Sequence, residues 1–443
     1  MVGAAGTAPL LGSPAITTPT RVKNLIFMVS DGMCGGTLAA ANHHHNITRG
    51  MDCEWLRLYR EVNAHRGLME TSSASSIVTD SAAAGSAWGC GQRIPNRQIN
   101  VNADGQALTP LYVDAKRQGR RLGLVTTTRL THATPASFVA NQLERNDEDE
   151  IAPQFLEREV DILLGGGHRF FAPDQREDGA DLYEQFRLAG YAMTRDKRSL
   201  MANRDARQIL GVYAQSHMPY ALDRANDPDL ATVPGLMEMT AAALRSIGGA
   251  RDGFILQIEA GRVDHAGHAN DPSAILQDQL EFDRCISLVR DFASHSPETL
   301  VIVTTDHGTG GFMLNGEGPS YNETTERFQR ITSAKASFEA IGESVEAGEM
   351  DADGLGAALG LEMTGELREQ LAAVLSNWDA DDWNYLGHAL RPILAPWNAT
   401  SWTTHNHTGE MAEFAAFGPG ANAFGAYFEN WEVHHRIRDL MGI

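Results

Sequence analysis

The amino-acid sequence predicts an α/β protein, in which a mostly parallel central sheet carries helices on both faces and a helical insertion enters late in the chain. Three observations predict it. Apolar, β-branched runs recur at 24–29, 122–127, 160–164, 253–258 and 300–305 with helix-like text between them, the alternation expected of strands joined by crossover helices. From 311 to 395 the text turns acidic and rich in Ala and Leu, as at 365–375, and no strand run interrupts it. The chain then passes a polar stretch at 403–409 and reaches one more apolar run at 413–417. With 443 residues, 42% of them hydrophobic and 21% charged, the composition is that of a globular chain and sets aside disorder and fibrous architectures.

Taken in order, the first segment is a leader. Residues 2–16 are rich in Ala, Gly and Leu, and Ser13-Pro14-Ala15 offers the small residues that a signal peptidase accepts, although no basic stretch precedes them. Residues 1–20 therefore read as the remnant of an export signal, which points to a periplasmic or secreted protein, or else as a plain disordered leader. The first run ends at Asp31, followed by Gly32, a pair that also makes an ordinary turn. At 78–85 the text reads Val-Thr-Asp-Ser-Ala-Ala-Ala-Gly, a polar opening to a helix. Ser81 sits at or near that helix N-terminus, where the dipole favours an alkoxide or a bound phosphate, and the simpler reading of the same residues is an N-cap.

The second run is followed by His132 and Thr134, and Arg145 comes eleven residues after Thr134. A guanidinium among acids usually makes surface ion pairs, but a planar fork in a cleft can grip two phosphate oxygens. The third run leads into Gly165-Gly166-Gly167, read as a tight strand exit because no Lys-Ser/Thr follows to make a phosphate loop. The fourth run delivers Glu259, then Asp264 and His268 four residues apart, a spacing that puts both on one helix face. The fifth delivers Asp306 and His307, and His407 comes late. Each has a structural explanation alone, as a turn, a cap or a surface pair. Together they place chemistry at the carboxyl ends of several strands, where open α/β sheets bind ligands. Mixed Asp/His sets suit Zn²⁺, and a carboxylate–hydroxyl set suits Mg²⁺, so two kinds of cation fit one cleft.

Composition narrows the partners. Lys plus Arg is 36 and Asp plus Glu is 57, a formal charge of −21, the wrong sign for holding nucleic acid by phosphate neutralisation. An anionic substrate needs a local positive site, which metals supply. No apolar run reaches the length of a membrane span. The four cysteines, Cys34, Cys53, Cys90 and Cys285, are far apart with no CxxC, so no metal ribbon or disulfide pairing is assigned.

On these motifs, from about residue 24 to the C-terminus, the chain resembles the alkaline phosphatases. The resemblance implies that Ser81 is a phosphorylated nucleophile and Arg145 the phosphate clamp. It implies a first zinc held by Asp264, His268 and His407, a second by Asp31, Asp306 and His307, and a magnesium by Asp31, Thr134 and Glu259. His132 and His265 stand where some bacterial members carry Asp and Lys, which leaves the third metal open between Mg²⁺, Zn²⁺ and Co²⁺. The resemblance further implies a single catalytic domain over 21–443 that includes the insertion at 311–395, small phosphate monoesters as substrates with inorganic phosphate as product, and a homodimer. The alternatives are a phosphodiesterase on the same scaffold, or a non-catalytic protein that binds metal or phosphate. A sulfatase is disfavoured because Ser81 is followed by Ala-Ala-Ala-Gly, and a metal-dependent phosphoglycerate mutase because the insertion comes late.

Overall fold

Runs of Val, Ile, Leu and Phe too continuous for a half-exposed strand belong in a sheet covered on both faces. The computed structural model describes residues 22–443, so the leader expected at 1–20 lies outside the described residues. Ten strands make one sheet: β1 (Asn24–Val29), β2 (His65–Glu70), β3 (Arg121–Arg129), β4 (Ile162–Gly166), β5 (Ala192–Thr194), β6 (Ile209–Val212), β7 (Phe254–Glu259), β8 (Thr299–Thr304), β9 (Ala412–Phe417) and β10 (Tyr427–Glu429). Their order across the sheet is β10-β2-β9-β8-β1-β7-β3-β4-β6-β5. Only β9 runs against its neighbours, pairing antiparallel with both β2 and β8. The expected α/β architecture, a mostly parallel sheet with helices around it, is the observed one.

Side-chain alternation sorts the core into two layers. Ile26 and Met28 of β1, Leu256 and Ile258 of β7, and Val301 and Val303 of β8 pack into one apolar cluster. Leu25, Phe27 and Val29, with Ile255, Leu300 and Ile302, pack into the other. Four sheet strands were not anticipated: β2, β5, β6 and β10. β2 reads His-Arg-Gly-Leu-Met-Glu, with only Met69 buried, and the other three are three or four residues long; strands this polar or this short, at or next to the two edges of the sheet, offer no long apolar run.

The register decides where chemistry collects. Val29 is level with Glu259 on one side and Thr304 on the other, and Thr126 is level with Glu259. The residues just past these ends, Asp31 and Asp306, therefore emerge beside Glu259 at one edge of the sheet.

Between 324 and 398 the chain is helical, including Phe338–Glu346, Ala352–Leu359, Gly365–Ser376 and Tyr385–Asn398. These helices pack around their own cluster, with Ile341, Leu355, Leu371 and Leu390 at its centre. A strand does occur within the expected insertion at 311–395: Met313–Leu314 pairs with Thr400–Ser401 and pinches the base of the helical segment. Two residues are too short to register as a run. All four cysteines are unpaired.

Candidate active site

Ser81 is the first residue of the helix Ser81–Cys90. The cap is Asp80, whose Oδ1 accepts from the Ala83 N–H at 2.9 Å, so the Ser81 hydroxyl is released from the capping task. The helix Arg262–Ala269 carries Asp264 and His268 on one face, with His268 Nε2 3.5 Å from Asp264 Oδ2. Gly32 makes the approach of the Asp31 turn possible: its φ is +72°, and a Cβ there would lie 2.6 Å from Asp264 Cα.

Three groups of side chains bring ligand atoms within 4.8 Å of one another: Asp264, His268 and His407; Asp31, Asp264 and His307; and Asp31, His132 and Glu259. In the first, His268 Nδ1 donates to the His405 carbonyl at 2.6 Å and His407 Nδ1 donates to the Thr79 carbonyl at 2.8 Å. Both protons are thereby placed on Nδ1, and two Nε2 lone pairs face each other at 3.1 Å, an arrangement that calls for a cation between them. In the second, His307 Nε2 lies 3.1 Å from Asp306 Oδ2, 3.7 Å from Asp31 Oδ1 and 3.2 Å from Ser81 Oγ. In the third, Thr134 Oγ1 donates to Asp31 Oδ2 at 3.1 Å, and Thr128 and Thr126 hydroxyls donate to Glu259 Oε2.

Asp31 Oδ1, Glu259 Oε1, Asp306 Oδ2 and His132 Nδ1 are buried and find no hydrogen-bond partner among the described residues. Asp31, Glu259 and Asp306 are fully buried and Asp264 nearly so. Burial, reinforced by Asp306 and Asp264, holds the Asp31 carboxyl well above its ordinary range, and burial pushes Glu259 up to about 7. Burial also acts to raise Asp264, but His268, His407 and His307 outweigh it and hold that carboxyl low. Burial, then the neighbouring His307, draws His407 down to about 4. Four buried carboxylates this close, three of them with an orphaned oxygen, call for cations to offset their charge. The donor set of oxygen and imidazole nitrogen fits zinc and magnesium.

Arg145 reaches the same cleft, held by Asp80 Oδ2 at 3.1 Å and His132 Nε2 at 3.1 Å. His265 stands outside the three groups, bonded through Nδ1 to Arg262 at 2.9 Å. His132 has a ring nitrogen within 4.8 Å of carboxylate oxygens of Asp31 and Glu259. Sequence reasoning did not assign Asp80 to Arg145, nor find Thr309, which donates to Asp264 Oδ1 at 2.5 Å and accepts from His307 Nδ1 at 3.3 Å. It also passed over His217, whose ring is 4.2 Å from His265 and 5.6 Å from His132. The place of Thr309 two residues after Asp306-His307 was the one available hint.

A family model described as "Alkaline phosphatase" matches residues 22–443. Alkaline phosphatase 4 of Bacillus subtilis is 30% identical over 429 residues, covering 95% of this chain and 89% of its own. The crystal structure of Thermus thermophilus alkaline phosphatase is similar with a TM-score of 0.86 and 34% identity, over 95% of this chain and 92% of that one. The cold-active alkaline phosphatase of a psychrophilic Shewanella follows at 0.81 and 27%, over 94% and 99%.

Proposed function

The chain belongs to the alkaline phosphatase family and is a phosphomonoesterase, and from that premise we propose that it hydrolyses small phosphate monoesters of broad specificity through a phosphoserine at Ser81. The observation that carries this reading is the position of Ser81 Oγ, at a helix N-terminus and 3.2 Å from His307 Nε2 in the wall of the cation-binding groups. Asp264, His268 and His407 would hold one zinc, Asp31, Asp306 and His307 the second, and Asp31, Thr134 and Glu259, with His132 at hand, magnesium or a substitute. These ions supply Lewis acidity, lowering the pKa of hydroxyl and water and offsetting charge on the departing oxygen.

The residues of the chain do the rest. Arg145, aimed by Asp80 and His132, grips two nonbridging phosphate oxygens and orients phosphorus toward Ser81. Ser81 Oγ attacks phosphorus, and the P–O bond to the alcohol breaks as the alcohol leaves. Water then attacks the phosphoserine from the vacated side, the Ser81–P bond breaks, and inorganic phosphate departs. The helix N-terminus favours the anion throughout. Because the phosphate is read by charge, the alcohol is read loosely. The reading extends to a homodimer that works in the periplasm or outside the cell; the family supports the first, and the composition at 2–16 supports the second.

The test is an acid quench during turnover of a labelled monoester. Phosphate on Ser81, lost with Ser81→Ala together with nearly all turnover, is the expected result. A variant that hydrolyses monoesters as fast as the parent chain overturns the nucleophile, and preference for a diester overturns the substrate class.

A further inference from the structure

Beside the candidate site, on its His268 side, opens a cavity of about 420 Å³ that runs from His265 and His268 to the helical insertion. The far wall carries two indoles, Trp378 and Trp383, and the carboxylates of Glu343, Glu346 and Asp382. The Trp383 ring lies 5.7 Å from the His268 ring, so this wall begins where the candidate metal ligands end.

The charge of its two glutamates is not balanced locally, while Asp382 lies 3.3 Å from His388 Nδ1. Arg262, the one basic side chain besides imidazoles on the lining, is committed elsewhere: it bonds Glu339 at 2.6 Å, bonds His265 Nδ1 at 2.9 Å and stacks 3.7 Å over the Tyr220 ring. Among the described residues, Glu343 and Glu346 meet no Lys or Arg at ion-pair distance. Burial, with Glu339 and Asp223 nearby, raises the Glu343 carboxyl above its ordinary range, a penalty that an incoming cation relieves. A second cavity of about 720 Å³ shares Glu339 and Glu343 with the first and leaves room for a longer ligand.

Direction matters as well. Ser81 contacts His307, His307 stacks on His407 at 3.7 Å, and His407 lies 4.9 Å from His268. In-line attack from the Ser81 side sends the alcohol away from His307, toward His268 and the cavity beyond it.

We propose that this cavity is an alcohol subsite that favours phosphate monoesters whose alcohol carries an ammonium group, with Trp378 and Trp383 presenting ring faces and Glu343 and Asp382 the counter-charge. The proposal rests on the phosphomonoesterase reading and adds the substrate class to it. Phosphocholine and 3,3-dimethylbutyl phosphate have the same shape and differ in one positive charge. The expected ratio of their kcat/KM values is on the order of tenfold in favour of the cation at low salt, the scale of one cation–π contact plus one screened carboxylate, and it shrinks as salt is added. In Glu343→Gln and in Trp383→Leu the ratio falls toward one. Being internal to each variant, the ratio is insensitive to losses in folding or metal content. Free choline, but not 3,3-dimethylbutanol, should change tryptophan fluorescence in the parent chain and do so less in Trp383→Leu, a readout that needs no hydrolysis. A ratio of one or below in the parent chain, or a preference that survives both substitutions, overturns the subsite. Absence of turnover of any monoester, with the choline response intact, overturns the enzyme reading and leaves the subsite standing.

Discussion

Thr309 is the hydroxyl on which two of the three candidate cation-binding groups lean. Its Oγ1 donates to Asp264 Oδ1 at 2.5 Å and accepts from His307 Nδ1 at 3.3 Å, and it is fully buried, so no water stands ready to replace it. Thr309→Val keeps the shape and removes both bonds. A hydrogen bond to a charged group contributes about 1.5–3 kcal/mol, which at 1.4 kcal/mol per factor of ten is about 10- to 100-fold in affinity, the range seen when partners behind a metal ligand are lost. Asp264 belongs to the first and second groups and His307 to the second, so zinc should weaken at both sites at once. The assay is competition between the protein and a chromophoric chelator for two equivalents of zinc, with hydrolysis of a nitrophenyl monoester as a second readout. Two binding steps shifted together are expected. If Thr309→Val binds zinc as tightly as the parent chain, the coupling argued from this hydroxyl is wrong.

Three further outcomes follow from the geometry. Arg145→Ala should weaken inhibition by inorganic phosphate by about 10- to 100-fold, the worth of a charge-assisted pair of bonds, and an unchanged inhibition constant would remove Arg145 from the clamp. His434 is buried beneath the Ser81 helix with Nδ1 on the Trp88 carbonyl, and burial draws it down to about 4. The unfolded chain takes up this proton first, near pH 6.5, so stability should fall as pH drops from 6.5 to 4, by about 3 kcal/mol in total, and His434→Gln should flatten that slope in denaturant titrations; parallel profiles would contradict it. Leu390→Ala opens the insertion's own core at a cost of about 2–5 kcal/mol. Amide exchange should accelerate across 338–398 while the central strands keep their protection, and a uniform rise would mean that the two cores unfold as one.

The central strands were legible because burial on both faces writes them as unbroken apolar runs, as at 24–29 and 300–305. The strands at and beside the edges were not: β2 pairs through its backbone on both sides and buries only Met69, and β5, β6 and β10 are too short to stand out. At the site, the residues that end strands could be read, because Asp31, Glu259 and Asp306-His307 each follow such a run. Asp264 and His268 could be read from helical spacing. What escaped was everything whose function depends on another segment: Thr309 matters through Asp264, Asp80 through Arg145, and His217 through two other imidazoles. No local pattern encodes a partner 45 or 65 residues away. The aromatic and acidic wall of the insertion escaped for the same reason, because acidic helical text reads as an ordinary solvated face until packing sets it against His268.

The placement of β1 between β7 and β8 has a consequence for the chain's life before it is an enzyme. Its two neighbours are encoded far downstream, so about 225 residues separate the end of β1 at Val29 from the start of β7 at Phe254. At ordinary synthesis rates the ribosome needs about 11–45 s to cross that interval. Throughout it β1, five of whose six residues are apolar, has neither partner, and His407 arrives later still. The central strand thus gains both neighbours only after residue 304, about two-thirds of the way along, and His407 completes its group of ligand atoms only in the last tenth. A cation held between Asp264, His268 and His407 could therefore enter only after that point.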